Sequence, residues 1–231
     1  MRIAILQSNY IPWKGYFDLI NDADVFVFYD CVKYTKNDWR NRNKIYVTAS
    51  PQWITIPIAS ESTKIKIEDV KITNTSWQET HAKTLTLGYK KSPFFFQLEE
   101  LIQDYFIEKK WNHLSELNQY IIKDISRRLR IKTKFINSQD LTLMGDRVEK
   151  LVNICKQLNA TEYISGPAAK DYLLEKEYLF SDNNISLSYK SYPQYKPYKQ
   201  IQMPFENTIS IVDMIANLEW NDIPSYIWGN E

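Results

Sequence analysis

Residues 3–6 form a short apolar run that turns polar at Gln7-Ser8-Asn9, the pattern of a buried strand running into a loop. Tyr16, Phe17, Leu19, Ile20 and Ala23 then recur at helical spacing, and residues 25–29 are wholly apolar or aromatic up to Asp30. Strand, short helix and strand within thirty residues predict a compact βαβ unit on a parallel sheet. Residues 44–47 and 53–58 predict a hairpin across Thr48-Ala49-Ser50-Pro51-Gln52, and residues 64–67 alternate as a half-exposed strand that residues 70–72 continue. From Trp77 the period changes. Residues 77–89, 93–108 and 114–129 carry apolar positions three and four apart, which predicts three consecutive helices, with Pro93 suited to a first turn after Ser92. Residues 132–136 predict a strand, and residues 146–158 a helix capped by Asp146. Tyr163-Ile164 predicts a strand that ends at Ser165-Gly166-Pro167, with a helix opening over 168–174. A strand over 185–189 and a short amphipathic helix over 209–218 complete the pattern. The predicted fold class is α/β: a parallel-sheet core of βαβ units with an inserted helical block and a small β-hairpin. Residues 1–75 and 130–231 are assigned to the core and residues 76–129 to the helical insertion.

Composition narrows the function classes. The 231 residues carry 29 Lys and Arg against 28 Asp and Glu, and a net charge of +1 gives no reason to expect a whole-surface nucleic-acid binder. A local basic patch around Lys33, Lys36, Arg40 and Arg42 remains. Two Cys and two His leave no disulfide framework, and a four-ligand zinc site would need all of them; no metal is expected. With only five Gly, neither G-x-G-x-x-G nor G-x-x-x-x-G-K-[ST] occurs. The amino terminus lacks the apolar core of a signal peptide, and no apolar run approaches the ~20 residues of a membrane helix. The expectation is a cytoplasmic chain without a membrane span, with peripheral attachment left open.

Ligands of open parallel sheets bind beyond the carboxyl ends of the strands. Those ends lead here into residues 7–16, into Asp30-Cys31-Val32-Lys33-Tyr34, and into Ser165-Gly166-Pro167. Tyr10, Trp13 and Tyr16 either contact a ligand or pack as an aromatic turn stiffened by Pro12 and admitted by Gly15. Asp30, at the mouth of a buried strand, can take a proton, hold an amine, pin a ribose hydroxyl or cap the next turn. Trp39-Arg40-Asn41-Arg42-Asn43 sets two guanidiniums beside an indole, suited to phosphate and a stacked ring, or forms a solvated basic turn. Extended backbone puts Arg40 and Arg42 on one face and Asn41 and Asn43 on the other. His81 is a candidate base or a structural helix residue. Cys31 is a nucleophile if a neighbour activates it, or a small core residue.

Residues 7–20, Gln-Ser-Asn-Tyr-Ile-Pro-Trp-Lys-Gly-Tyr-Phe-Asp-Leu-Ile, resemble the opening motif of the WbqC-like family. Trp39-Arg40-Asn41-Arg42-Asn43-Lys44-Ile45 resembles its second signature. Residues 77–81 with Tyr89 and residues 92–95, then residues 163–166, then Tyr195 with residues 210–213, resemble further segments. Ser8 stands where that family commonly has Pro, and Cys31 where a second acidic residue is common, which favours Asp30 over Cys31. The resemblance implies a role in O-antigen, lipopolysaccharide or other surface-polysaccharide biosynthesis. It implies an enzyme that transfers an aminoacyl or acyl group, glycyl among the options, to the amine of a nucleotide-linked amino sugar. On that expectation Asp30 or His81 is the base, and Arg40 and Arg42 hold the diphosphate. Tyr10, Trp13, Tyr16 and Trp39 face sugar or base, and Asn41, Asn43, Ser165 and Gly166 complete the substrate site. No tightly bound cofactor is expected. The activated acyl donor is a co-substrate, with a carrier protein, a coenzyme thioester or an aminoacyl-tRNA as its source. Two alternatives stand beside this one. The first loop is faintly similar to that of H-x-G-H nucleotidylyltransferases, though Tyr16 follows Gly15 where they have His. A non-catalytic binding protein of a polysaccharide assembly complex is the other.

Overall fold

The computed structural model describes residues 1–47, 50–74, 76–201 and 203–228. Five strands form a parallel sheet: β1 (Arg2–Leu6), β2 (Val25–Phe28), β5 (Lys134–Asn137), β6 (Glu162–Ser165) and β7 (Ser186–Tyr189). Their order is β5-β2-β1-β6-β7, with Ile3 opposite both Val25 and Tyr163. β3 (Arg42–Tyr46) and β4 (Pro51–Thr55) form a separate antiparallel hairpin, two residues earlier than the apolar run predicts. Thr48 and Ala49 of the predicted turn lie outside the described residues.

The β1–β2 crossover is α1 (Lys14–Asn21). The predicted helical block resolves into α2 (Trp77–Tyr89), α3 (Phe95–Ile102) and α4 (Leu114–Arg128). Pro93 falls in the turn before α3, and α3 runs on into a π-helical turn, Gln103–Glu108. The buried Gln78 side chain donates to the Lys109 carbonyl at 2.7 Å and so closes that turn. α5 (Arg147–Gln157) starts at Asp146, which accepts from the Val148 and Glu149 amides in a capping box. Short helices α6 (Lys170–Leu173) and α7 (Tyr178–Ser181) join β6 to β7, and α8 (Ile211–Asn217) and α9 (Ile223–Ile227) close the chain. α9 has too few apolar positions for its period to show in the sequence. Residues 64–67 are not a strand. Lys64 ends one 3₁₀ turn (Ser60–Lys64), Ile67 begins another (Ile67–Asp69), and the backbone between them pairs with residues 32–34 through isolated contacts and not along a ladder.

The two faces of the sheet bury different sets. Ile3, Ile5, Val25, Val27 and Tyr163 pack against α5 and Phe180. Ala4, Phe26, Phe28 and Ile164 face a larger core shared with α1, α2–α4, the hairpin and α8. Period-two alternation along β1 and β2 assigns each residue to its face. Burial of Phe26 and Phe28 contributes about 2–3 kcal/mol each. Gly88 lets α2 lie directly on β3, since a Cβ there would meet the Tyr46 carbonyl oxygen at 2.1 Å.

The chain steps outward from β1 to β2 and β5, then returns to β6 on the other side of β1. The direction of winding therefore reverses between β1 and β6. At such a switch point the loops diverge, and a crevice opens at the carboxyl ends of the strands.

Candidate active site at the carboxyl edge of the sheet

Asp30 stands just beyond the end of β2 and is only 2% exposed. Its Oδ1 accepts from the Ser8 amide at 2.8 Å, and its Oδ2 accepts from Gln119 Nε2 at 3.0 Å. Ser8 belongs to the loop after β1, and Gln119 to α4, so three elements meet on one carboxylate. Burial raises the Asp30 pKa above the usual carboxylate range. The bonds from Gln119 and Ser8 and the nearby Arg40 charge partly offset this.

Arg40 enters the same site from the segment before β3. Its guanidinium donates to Gln7 Oε1 at 3.1 Å and to Asn9 Oδ1, while Asp38 lies 3.5 Å away. Its Nε is buried with no partner among the described residues. The Arg40 carbonyl is held by Asn118 Nδ2 at 2.8 Å. The bonds to neutral amides orient its fork, and Asp38 compensates part of its charge.

The loop itself is strained and pinned. Ile11, a β-branched residue, has φ +35°. Its carbonyl accepts from Asn43 Nδ2 at 2.8 Å and Ser210 Oγ at 2.6 Å. The Trp13 indole folds back on Gly15, where a Cβ would sit 2.3 Å from the ring. Trp13 packs on Tyr192 and Tyr195. The buried Lys14 Nζ lies 5.0–5.6 Å from the rings of Tyr195, Tyr198 and Phe205. Burial lowers Lys14 to about 8, against attraction from Asp213, whose own pKa burial raises to about 6.

The remaining predicted residues divide plainly. Tyr16 is buried and donates to the Gln7 carbonyl at 2.9 Å, supporting the loop from below. Tyr10 is fully buried and donates to His81 Nδ1 at 2.8 Å. Thr55 O lies 3.1 Å from His81 Nε2 and can only accept, so Nε2 carries the proton. Both His81 nitrogens are committed, and burial lowers its pKa to about 4, so the ring is a neutral core group with no atom free to act as base. Asn41 and Asn43 are also internal braces. Asn41 joins Tyr34 to the Ile56 carbonyl, and Asn43 holds the strained loop. Arg42 diverges from Arg40. It stacks 4.2 Å from the Trp53 ring centroid and donates to the Asn37 carbonyl, because the strand begins only at Arg42. The Ser165 hydroxyl bonds Tyr163 at 3.2 Å on the α5 side of the sheet, away from Asp30, while Gly166 opens the switch point without steric neighbours. Burial raises the Cys31 thiol pKa, opposite to what a nucleophile needs.

The buried neutral His81 has a thermodynamic consequence. The unfolded ring takes a proton near pH 6.5 and the folded ring only near 4. Between those values the unfolded state binds more protons, so stability falls as pH falls, by about 3 kcal/mol in all. Urea melts of wild type and His81→Gln should show their stability gap narrowing by that amount from pH 7 to 4. All other titrating groups are common to both proteins and cancel. A gap independent of pH would contradict the assignment of a neutral ring.

Gln7, Asn9, Asn118 and Gln119 were not predicted. Asn118 carried a signal: it is a polar residue inside the apolar stripe Leu114, Leu117, Ile121, Ile122 and Ile125. A fully buried amide in such a stripe must have polar partners, and here they hold the Arg40 backbone. A cavity of about 990 Å³ lies elsewhere, beside α1 and α9, where Lys190 already bridges Asp18 and Asp22.

A family model described as WbqC-like matches residues 7–224, nearly the whole chain and every segment of this site. The chain belongs to the WbqC-like protein family. It is 38% identical over 227 residues to the uncharacterized protein Rv1507c of Mycobacterium tuberculosis, covering 98% of this chain and 97% of that one. No solved structure matches it. In this WbqC-like chain no helix among the described residues is long and apolar enough to cross a membrane, and no group of three or more His, Cys, Asp or Glu side chains is placed to hold a metal.

Proposed function

We propose that this WbqC-like protein is a transferase that attaches an aminoacyl or acyl group to the amine of a nucleotide-linked amino sugar used in surface-polysaccharide biosynthesis. The observation that carries this reading is the meeting of Asp30 and Arg40 at the carboxyl ends of β1 and β2. Amide formation needs a base for the amine proton and a cation for the substrate's diphosphate. Asp30, its pKa raised by burial, is the base. Gln119 Nε2–H marks the direction from which a substrate N–H approaches Oδ2. Arg40, oriented by Gln7 and Asn9, is the phosphate anchor. Position at the winding switch supports a nucleotide-bearing substrate. The same position favours a second reading, nucleotidyl transfer, in which the nucleotide is itself the reacting group.

Thermal shift separates the two. A ligand that binds only the folded state raises the melting temperature. Nucleotide-linked 4-amino sugars should stabilise the protein more than their 4-hydroxy counterparts. Stabilisation by a nucleoside triphosphate with magnesium, and by no amino sugar nucleotide, would replace acyl transfer with nucleotidyl transfer.

A further inference from the structure

Away from Asp30, the outer face of the hairpin carries an unusual surface. β3 and β4 pair Lys44 with Trp53 and Arg42 with Thr55. Alternation therefore places Arg42, Lys44 and Trp53 together, opposite the buried Asn43, Ile45 and Ile54. Trp53 is 45% exposed, and Trp39, 40% exposed, lies against it with ring centroids 5.2 Å apart. Arg42 stacks on Trp53, and Lys44 Nζ lies 5.6 Å from the same ring. A groove of about 370 Å³, lined in part by Lys36, Asn37 and Arg42, borders this face. Residues 33–66 hold seven Lys and Arg against two carboxylates, a net +5 within a chain of net +1. The remainder of the chain is therefore net acidic, and Lys36, Arg42 and Lys44 of this basic stretch border the indoles or the groove beside them.

Adjacent exposed indoles offer π faces, and the flanking cations offer partners for phosphate. The face is open, which suits an extended strand better than a small molecule that must be enclosed. We propose that this face binds single-stranded nucleic acid, and that the strand is the single-stranded end of an RNA carrying the acyl donor. Trp39 stands in the platform and the next residue, Arg40, in the Asp30 site, which links the platform to the proposed base through the chain. The donor is then an aminoacyl ester on the terminal ribose. The sugar amine forms the new C–N bond, the ester C–O bond breaks, Asp30 takes the amine proton, and the departing ribose oxygen recovers it as a hydroxyl. The donor role rests on the proposed transfer function; strand binding does not.

The test is fluorescence anisotropy of the full chain with a labelled unstructured oligouridylate of about twelve nucleotides, at about 50 and 200 mM salt. The expected result is binding that quenches tryptophan emission and weakens as salt rises. The double variant Trp39→Ala/Trp53→Ala should lose about tenfold or more in affinity, while Trp39→Phe/Trp53→Phe, which keeps two stacking faces, should retain most of it. No binding at the lower salt, or equal binding by the alanine double variant, would overturn the proposal. So would binding of a uronic-acid oligosaccharide in place of the RNA, which would make the platform a sugar site. None of these outcomes depends on turnover, so failure here leaves the transfer reaction to be judged by its own product.

Discussion

Asp30→Asn is expected to lower kcat by about 10²- to 10⁴-fold while changing KM for the sugar nucleotide little. The substitution conserves shape. Asn can still accept from the Ser8 amide, but its amino group would face the Gln119 Nε2 donor. Gln119 can turn its amide end for end and present its oxygen, so the fold should survive at a cost of about 1–2 kcal/mol. What Asn cannot do is accept the amine proton. The pH profile gives an independent readout. Because burial raises the Asp30 pKa, wild-type kcat should rise with pH through a value above the ordinary carboxylate range. The variant should lose that limb. A folded Asp30→Asn enzyme with wild-type kcat would remove Asp30 from the chemistry.

Arg40→Ala is expected to act on binding, raising KM by about 10- to 100-fold with a smaller effect on kcat. The estimate follows from losing one or two charge-assisted hydrogen bonds at about 1.5–3 kcal/mol each, tempered by the partial exposure of the site. Arg40→Lys should not rescue, because one ammonium cannot hold Gln7 Oε1 and Asn9 Oδ1 in the geometry of a planar fork. The ligand-induced melting shift should shrink in parallel with the rise in KM. Melting of the free variant should show only a modest loss, since the segment is also tied by its backbone to Asn118. A variant that binds sugar nucleotide as tightly as wild type would show that the guanidinium braces the loop and does not anchor substrate.

β1, β2 and β6 were legible because these central strands are largely buried and read as short apolar runs. α2, α4 and α5 were legible because a long amphipathic period leaves little choice, and Asp146 with Glu149 marks the start of α5. Residues 64–67 misled because alternation of Lys and Ile fits a strand, whereas tertiary contacts bend this stretch into 3₁₀ turns. Asp30 stood out at the mouth of an apolar strand and Arg40 in an unusual basic pentapeptide, and the fold brings the two into one neighbourhood. The assignments of Asn41, Asn43 and Tyr10 as ligand contacts could not anticipate that their polar groups are spent inside the protein. A motif reveals residue types, but whether an amide faces a ligand or a strained carbonyl depends on partners far along the chain. Gln119 lies 89 positions from Asp30 and has no local pattern that links them.

Product analysis tests the central claim most directly. The purified protein is incubated with a nucleotide-linked 4-amino sugar and, in separate reactions, an aminoacyl-RNA or an acyl-coenzyme thioester, and the sugar nucleotide is followed by mass spectrometry. Acyl transfer predicts a product that keeps its nucleotide, gains one acyl group and loses its reactive amine, with the yield abolished in Asp30→Asn. An unmodified sugar nucleotide in every reaction, together with pyrophosphate release from a nucleoside triphosphate, would contradict it.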